Sequence, residues 1–346
     1  MSSPERSAGI PTNAPRASGA APCACILLAG QRAAPRAGSL AAEMGVPVAA
    51  LPLDARVTVV GAWLEALDAA NFGGRRILAL STDEDGQFYK GTGLVSAGVA
   101  EGSVKAGSAL ELRTDTAQHR GAAGTVADIC APLMNSPAKL EHGVLVIECS
   151  CAPNFDIDGM LRAIPAEASI VVGVSSGDIP AGVVWLSREA IERIPSVGFF
   201  DLKEQLVTAM VAAGTRVTAH VGCAAFNRIA TRVNYLAAIE QRLDEGGLAT
   251  SPDAIIAPDA QVRGATMICR GVRVESGAFV SDAAILPGAT IGARATVARS
   301  VVPPGAIVPA GALVVDQIYA PLEYAPRASA GSVDATTVKV NSGAGR

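Results

Sequence analysis

The stretch of sequence that decides the fold lies near the C-terminus and reads Ile285-Leu-Pro-Gly-Ala-Thr-Ile291-Gly-Ala-Arg-Ala-Thr-Val297. Its aliphatic residues recur every six positions, and Pro, Gly and Ala stand between them. A fixed period of six predicts a parallel β-helix whose interior stacks the periodic side chains. With two five-residue steps, the period extends in both directions over these positions: Ile256, Val262, Ile268, Val274, Val280, Ile285, Ile291, Val297, Val302, Val308 and Val314.

Residues 246–318 are therefore predicted to form a short left-handed parallel β-helix of roughly three coils. An ordinary β-meander is the alternative, but its strands would show a period of two residues rather than six. Stacked repeats depend on neighbours and caps to cover their faces. We therefore expect the β-helix to dock on the first domain or on another subunit.

Residues 23–245 show a different pattern, in which short apolar runs alternate with helical periodicity. This alternation predicts an α/β domain whose parallel sheet is covered on both faces. Because only 4% of the residues are aromatic, the core should consist of small aliphatic side chains. The predicted strands are 24–28, 76–80, 143–147, 169–174 and 182–186, and the predicted helices are 62–70, 158–163, 187–193 and 202–213.

Composition excludes several classes of partner. The net charge of −4 arises without long runs of like charge, so nucleic acid is not expected to bind. No apolar stretch reaches the roughly 18 residues of a membrane-spanning helix, and residues 1–22 lack the apolar centre of a signal peptide. We expect a cytoplasmic protein with no membrane partner. The tails, residues 1–22 and 319–346, are rich in small residues and are predicted to be disordered.

The seven cysteines include two pairs separated by a single residue, Cys23/Cys25 and Cys149/Cys151. This spacing suits neither a disulfide framework nor a zinc knuckle, and we interpret the cysteines as reduced thiols. The first pair begins a predicted strand and the second pair follows the end of one. The two pairs should lie at opposite edges of the sheet, which argues against a shared four-cysteine metal site.

Six segments of the first domain resemble, in order, the nucleotidyltransferase family that joins an NTP to a sugar 1-phosphate. Each motif is degenerate, but their order and the following β-helix extend the resemblance over most of the chain. The segments are 23–32 (first strand and phosphate loop), 47–67 (approach to the first long helix), 119–125 (Gly-x-Ala-Gly), 144–161 (strand and helix around a metal site), 180–214 (sugar-binding strand and helix) and 226–236 (end of the domain).

This resemblance implies a Rossmann-like, GT-A-like mixed sheet with helices on both faces, followed by the β-helix. It also implies a protein of the NDP-sugar pyrophosphorylase or mannose-1-phosphate guanylyltransferase kind, which binds an NTP or NDP-sugar and forms a homo-oligomer. The residues at the matching positions are Ala29, Gly30, Gln31, Gly121 and Gly124 for the nucleotide, Asp201 for the sugar, and Lys203 with Arg32 as catalytic cations.

Alternative interpretations remain for the charged residues among these. Arg32 or Arg36 would replace a lysine of the family pattern that is missing here, where Val46 precedes Pro47, or both arginines are solvated loop residues. Asp201 contacts a sugar or caps the helix that follows it, and Lys203 contacts phosphate or is merely exposed.

The family reaction depends on charge neutralisation by a divalent metal and basic residues. This sequence departs from the pattern at both metal positions, where Ser150 and Arg228 stand in place of carboxylates. Serine is a poor sole anchor for a hard cation, and an arginine should repel it. If the protein is active, Mg²⁺ is therefore expected to be held mainly by substrate phosphates.

Three nearby carboxylates do not restore the predicted metal site. Glu148 precedes the expected position by one residue and should point to the other face of its strand. Asp156 lies close by, and Asp158 is interpreted as a helix cap.

Two functions follow from the sequence. The first is a nucleotidyltransferase-like protein that binds an NTP or NDP-sugar, either as an active transferase in sugar-nucleotide synthesis or as a catalytically impaired protein that regulates it. The second is a non-catalytic structural or regulatory subunit that assembles through the β-helix. Acyltransferases that share the β-helix use a histidine as general base, but His119, His142 and His220 all lie outside the hexads.

Overall fold

A computed structural model describes residues 22–29, 40–80, 110–114, 120–134, 142–243 and 247–320 of the chain. The first domain is built around a seven-stranded sheet with the order β3-β2-β1-β4-β6-β5-β7. Its strands are β1 (Ala24–Leu28), β2 (Arg75–Leu80), β3 (Leu110–Thr114), β4 (Val144–Glu148), β5 (Ile170–Ser175), β6 (Pro180–Leu186) and β7 (Val217–Cys223).

The sheet is mixed because β6 runs antiparallel to both β4 and β5, whereas the other neighbouring strands are parallel. Only residues 176–179 join β5 to β6, and a connection this short permits a hairpin but not a parallel crossover. Asp178 adopts a left-handed conformation with φ of 57° in this turn. The alternation of strands and helices predicted a parallel sheet, from which β6 departs, whereas the mixed sheet that the resemblance implied is confirmed.

Helices cover both faces of the sheet, as the sequence predicted. The helices are α1 (Leu40–Met44), α2 (Val59–Ala69), α3 (Gly121–Met134), α4 (Ile157–Arg162), α5 (Arg188–Glu192), α6 (Thr208–Ala212) and α7 (Arg232–Arg242), with a 3₁₀ turn at Val48–Ala50 and a π-helical segment at Leu202–Val207. One face of the sheet packs against α1, α2, α4 and α7, and the other against α3, α5 and the 202–212 segment.

The second domain consists of short parallel strands in three stacked sheets of four strands each. It therefore has four coils in the described chain, one more than the roughly three predicted, because the first coil begins with β8 before the first periodic isoleucine. Its strands are β8 (Leu248–Thr250), β9 (Ile255–Ile256), β10 (Gln261–Arg263), β11 (Thr266–Ile268), β12 (Arg273–Val274), β13 (Phe279–Ser281), β14 (Ala284–Ile285), β15 (Thr290–Ile291), β16 (Thr296–Ala298), β17 (Val301–Val302), β18 (Ile307–Val308) and β19 (Leu313–Val315).

The predicted hexad positions align as interior columns of the coils. Ile256 pairs with Val274, and this column continues through Ile291 to Val308. From the second coil onward, all the hexad side chains are at least 98% buried. Glycines or other left-handed residues turn the corners between the sheets, as in the column of Gly271, Gly288 and Gly305. The stacking predicted from the six-residue period is confirmed.

The β-helix docks on the first domain, as expected from its uncovered faces. A single hydrophobic core contains Leu27 of the sheet, Tyr235 of α7 and Met267 of β11. The last helix ends at Arg242, and the first coil begins at Leu248. None of the helices in the described ranges is long and apolar enough to cross a membrane. The predicted tails lie outside the described residues, apart from Pro22, Tyr319 and Ala320.

Replacing Ile291 with alanine should destabilise the protein by about 2–5 kcal/mol, because it removes a fully buried side chain from an interior column. The matched control is Ile307→Ala on the neighbouring strand β18. Ile307 is 65% exposed, so its removal should change the free energy of unfolding by no more than about 0.5 kcal/mol. Chemical denaturation measures both variants, and equal losses would contradict this assignment of inward and outward positions.

Candidate functional site

The candidate site lies at the carboxyl edge of the sheet, where the strand order changes direction. The central strand β1 has β2 on one side and β4 on the other, so the connections leave β1 and β4 toward opposite sides. Such a point opens a crevice at the carboxyl ends of the strands. Here the Cys149 amide donates to the Leu28 carbonyl at 2.9 Å, and the Ala29 amide donates to Ala79 at 3.1 Å.

A short antiparallel bridge at this edge brings together the segments of Ser150 and Arg228, which the sequence predicted as degenerate metal positions. Cys151 pairs with Arg228 in the bridge. The Ile229 amide donates to the Ser150 carbonyl at 2.7 Å, and the Ala152 amide donates to the Asn227 carbonyl at 2.9 Å. Ser150 and Arg228, which lie 78 positions apart in the sequence, therefore belong to one local structure.

Glu148 is the electrostatic centre of the site. Its Oε1 lies 2.8 Å from Nζ of Lys203, and its Oε2 lies 2.5 Å from Nη2 of Arg228. The carboxylate is only 18% exposed, whereas the two cations are 37% and 46% exposed. One partly buried carboxylate thus holds two cations that solvent and solutes can still reach.

The expectation that Glu148 points away from the site was wrong. It assumed that strand β4 continues from Glu148 to Ser150, so that successive side chains point to opposite faces of the sheet. The chain instead turns directly after Glu148, where the Cys151 amide donates to the Glu148 carbonyl at 3.0 Å. Alternation of side chains ends with the strand, so Glu148 is free to face the same cluster as Arg228.

The donor groups in this cluster do not fit a protein-anchored divalent metal. Both oxygens of Glu148 are already paired with cations, and Ser150 offers only neutral oxygens. Within the described ranges, no group of three or more His, Cys, Asp or Glu side chains could hold a metal ion. The expectation of Mg²⁺ held mainly by substrate phosphates stays a prediction.

Asp201 caps the helical segment that carries Lys203. Its Oδ1 accepts hydrogen bonds from the amides of Lys203 at 2.7 Å and Glu204 at 2.8 Å. Gln205 completes a reciprocal cap, since its Oε1 accepts a hydrogen bond from the Asp201 amide at 2.6 Å. This reciprocal cap fixes the start of the segment and thereby places Lys203 beside Glu148. The sugar contact predicted for Asp201 is untested.

Gly121 and Gly124 lie at the start of α3 and pack against the segment that leads to Asp201. A Cβ atom on Gly121 would lie 2.7 Å from the Phe200 carbonyl oxygen, and one on Gly124 would lie 2.8 Å from Cβ of Arg120. The amides of Ala123 and Gly124 donate to that same Phe200 carbonyl at 3.2 and 3.4 Å. Close packing therefore requires both glycines, and their predicted contact with the nucleotide stays a prediction.

Arg120 is a buried anchor of this region that the sequence did not indicate. Its guanidinium binds Asp128 in a two-pronged ion pair at 3.0 and 3.1 Å and donates to the carbonyls of Pro195 and Gly198. The side chain is 4% exposed, so its charge needs this full set of partners. Arg120 thus connects α3 to the loop that precedes Lys203 and stabilises the position of that loop.

The helix cap predicted for Asp158 is formed by Asp156 instead. Asp156, not Asp158, caps α4, and its Oδ1 accepts from the Gly159 amide at 2.8 Å. Asp158 lies inside the first turn and forms an ion pair with Arg162 at 2.6 Å. Gly159 permits the cap because a Cβ there would collide with the Asp156 carboxylate at 2.2 Å.

The remaining predicted site residues cannot be placed. Gly30, Gln31, Arg32 and Arg36 of the phosphate loop lie outside the described residues, and so does His119. Of the predicted nucleotide contacts on β1, only Ala29 is described, and it is 5% exposed at the strand end.

Thiols line the buried side of the same crevice. Burial, together with the nearby Glu148 carboxylate, raises the pKa of Cys151 to about 11. The pKa of Cys149 is also well above its ordinary value, first because of burial and then because of Cys25. These thiols are neutral at physiological pH and are poor nucleophiles.

The C-terminal architecture matches a known family. Residues 238–318 match a family model described as GlmU-like, C-terminal hexapeptide. The match begins in the last residues of α7 and includes all twelve strands of the coils, but it covers less than a quarter of the chain. The search of curated proteins gave no match. The family match and the stacked parallel strands both support the hexapeptide β-helix, and the nucleotidyltransferase resemblance of the first domain stays a prediction.

Replacing Asp201 with alanine should cost about 1 kcal/mol of stability, because two amides at the start of the helical segment lose their acceptor. Asp201→Asn is the matched control, since an asparagine oxygen can still accept these hydrogen bonds and should retain most of the stability. Chemical denaturation of the three proteins tests the cap. If the alanine and asparagine variants lose equal stability, capping is not what Asp201 contributes to the fold.

Proposed function

We propose that this protein is a sugar-1-phosphate nucleotidyltransferase-like protein that binds an NTP or NDP-sugar at the carboxyl edge of its sheet, with impaired catalysis. The observation that carries the proposal is the position of Glu148 between Lys203 and Arg228. These cations occupy the sequence positions that the resemblance assigns to the sugar phosphate and to a metal ligand. A cluster with two cations and one anion favours a phosphate over a free divalent metal.

Topology supports this location for the ligand. The crevice between β1 and β4 lies at the switch point of the strand order, which is the usual binding position in open α/β sheets. Glycines at the start of α3 and the helical segment with Lys203 converge on the same region through Phe200. A hexapeptide domain of GlmU-like type follows directly in the chain, in agreement with the order of domains that the resemblance implies.

The geometry of the cations fits a phosphate ligand that competes with an internal carboxylate. Lys203 and Arg228 are more than one-third exposed, so phosphate oxygens can reach them. Glu148 holds both side chains in position before the ligand arrives and reduces the ordering that binding requires. The cluster keeps a net charge of +1, which attracts an anion even while Glu148 stays paired.

Impaired catalysis follows from the same arrangement. Displacement of pyrophosphate requires neutralisation of charge on the transferring phosphate, and a divalent metal ordinarily supplies much of it. Here both oxygens of the central carboxylate are engaged by cations, so a metal would have to arrive with the nucleotide. Binding is thereby retained while the machinery for turnover is weakened, as in a regulatory or ligand-sensing subunit.

Location and assembly are further elements of the proposal. A cytoplasmic homo-oligomer that binds neither nucleic acid nor membranes fits the net charge of −4, which arises without long runs of like charge. Histidine is absent from the hexads, which argues against acyl transfer by the β-helix because the general base of such enzymes is missing. A purely structural subunit is the competing function, and it predicts no nucleotide binding.

The first test measures pyrophosphate release and nucleotide binding in parallel. A panel of NTPs with sugar 1-phosphates and Mg²⁺ should give little or no pyrophosphate, whereas at least one NTP or NDP-sugar should raise the melting temperature. Lys203→Ala and Arg228→Ala should each weaken this binding by about tenfold, as expected for the loss of a charge-assisted contact. Arg216→Ala is the control, because Arg216 pairs with Glu167 at the amino end of β7.

Two outcomes would overturn the proposal in different ways. Rapid turnover that falls in the Lys203 variant would mean a working transferase whose metal is held differently. Absence of binding by any nucleotide or NDP-sugar would favour the purely structural subunit.

Glu148→Gln should increase the affinity for the same nucleotide, by about three- to tenfold, because the ligand no longer competes with a carboxylate for the two cations. Glu167→Gln removes the partner of Arg216 in the same way but should leave nucleotide affinity unchanged. Isothermal titration calorimetry compares both variants with the natural protein. Lower affinity in Glu148→Gln would mean that the carboxylate supports the bound ligand rather than competing with it.

A further inference from the structure

A second pocket lies between the two domains, apart from the carboxyl edge of the sheet. It has a volume of about 330 Å³ and is lined by the 46–58 segment of the first domain and by three successive corners of the β-helix. Its floor is apolar and includes Leu51, Cys269 and Leu286, which are at least 98% buried. This volume lies at the lower end of the range for small-molecule sites.

Two arginines line the same pocket without partners of their own. The guanidinium groups of Arg56 and Arg270 form no hydrogen bond or ion pair within the described chain, and both side chains are exposed. Most other described arginines are paired with a carboxylate or a carbonyl. An apolar pocket with two uncompensated cations is electrostatically complementary to an anion.

Asp54, the acidic residue that lines the pocket, does not neutralise the two arginines. Oδ1 of Asp54 accepts from the backbone amides of Arg56 at 2.7 Å and Val57 at 2.8 Å. Its Oδ2 accepts from Nε of Arg242 at 3.1 Å, and Arg242 also binds Glu65. Asp54 is therefore committed to the loop and to α7, and it leaves the positive charge of the pocket uncancelled.

Arg270 is an unusual residue for its place, directly before Gly271 in the column of corners that also contains Gly288 and Gly305. Pro287 and Pro304 occupy the equivalent places in the next two coils, and each precedes a left-handed glycine as Arg270 does. A proline at this place completes the turn and adds an apolar wall. Of the three corners that line the pocket, only that of Arg270 carries a charge. Asp253 holds the equivalent place in the first coil, outside the lining, where its Oδ2 accepts from the Gly271 amide at 3.1 Å.

We propose that this interdomain pocket binds a small amphipathic anion, with its apolar body on the floor and its carboxylate or phosphate between Arg56 and Arg270. Guanidinium groups recognise both head groups with paired hydrogen bonds, so the shared chemistry is a planar or tetrahedral oxyanion on an apolar body. This site lies apart from the Lys203 cluster and stands whatever the carboxyl edge of the sheet binds.

Such a ligand would clamp the two domains together. One wall belongs to the first domain, where Tyr235 of α7 donates to the Pro52 carbonyl at 2.6 Å, and the other wall belongs to the coils. A ligand that contacts both walls binds only the docked state and stabilises it. The expected effect is a rise in melting temperature that depends on ligand concentration.

Octyl phosphate and octanoate test the proposal in the full-length protein by isothermal titration calorimetry, with octanol and inorganic phosphate as half-ligands. At least one of the two anions should bind with a stoichiometry of one, about tenfold or more tighter than either half-ligand. Binding of octyl phosphate alone identifies phosphate as the head group, and binding of octanoate alone identifies carboxylate. No saturable binding of either anion, as when another part of the chain or a second copy covers the pocket, would overturn the proposal.

Variants separate this pocket from other surfaces. Arg56→Gln combined with Arg270→Gln should weaken anion binding about tenfold or more, with little change for octanol. Arg273→Gln is the matched control, because Arg273 is also exposed and unpaired in the described chain but does not line the pocket. Ala55→Trp should fill the pocket and abolish binding while the protein stays folded. Equal affinity in the double variant and the control would refute the site, and Lys203→Ala should leave this binding unchanged.

Discussion

The structure depends on the covering of one outer face of the β-helix by the first domain. Along each strand of a coil, the hexad residue points inward and its neighbour points outward. In the sheet formed by β8, β11, β14 and β17, the outward neighbours Met267, Ala284 and Val301 are as buried as the hexad residues. In the sheet that contains β9 and β18, the outward residues Ile255 and Ile307 are exposed. This sheet of the β-helix is therefore buried on both faces, by the interior of the coil on one face and by the first domain, including α7, on the other.

That shared core explains the ion pairs around it. Arg232, at the start of α7, donates to the Arg299 carbonyl and lies 3.7 Å from Asp316, at two successive corners of the β-helix. At the other end of the helix, Arg242 holds Asp54 and Glu65. These pairs are partly exposed and each contributes little free energy. Arg232 sets the position of α7 on the β-helix, whereas Arg242 fixes α7 against Asp54 and Glu65 within the first domain. The apolar contact between α7 and the coil supplies most of the stability.

Much of the fold could be predicted from the sequence because its signals are local and repetitive. The hexads required only a constant period, and Ser187, Thr58 and Asp201 mark helix starts through side chains that accept from the backbone. Helices α1 and α3 were missed, and so were strands β3 and β7. These strands lie at the two edges of the sheet and are less buried than the central strands, so their apolar pattern is weak. The extra coil was missed for a similar reason, since Leu248 and Ala249 do not continue the hexad.

The candidate site was harder to predict because its central contact is not local. Ser150, Lys203 and Arg228 were identified by their order along the chain, but Glu148, which joins two of them, was assigned to the wrong face. Strand alternation is a reliable guide only while the strand continues, and the turn after Glu148 redirects the chain. No pattern in the sequence indicates that a residue 55 positions before Lys203 will meet it.

The shared core also determines the sequence of events during synthesis. Ribosomes release the whole seven-stranded sheet and α7 before the first coil, so the face of α7 with Tyr235 and Ile239 meets water until Met267 and its neighbours emerge. An apolar face that waits for a later segment is a point where nascent chains associate with one another. For this protein, synthesis of the β-helix covers the apolar face of α7 and also ends the period in which that face can associate with another growing chain.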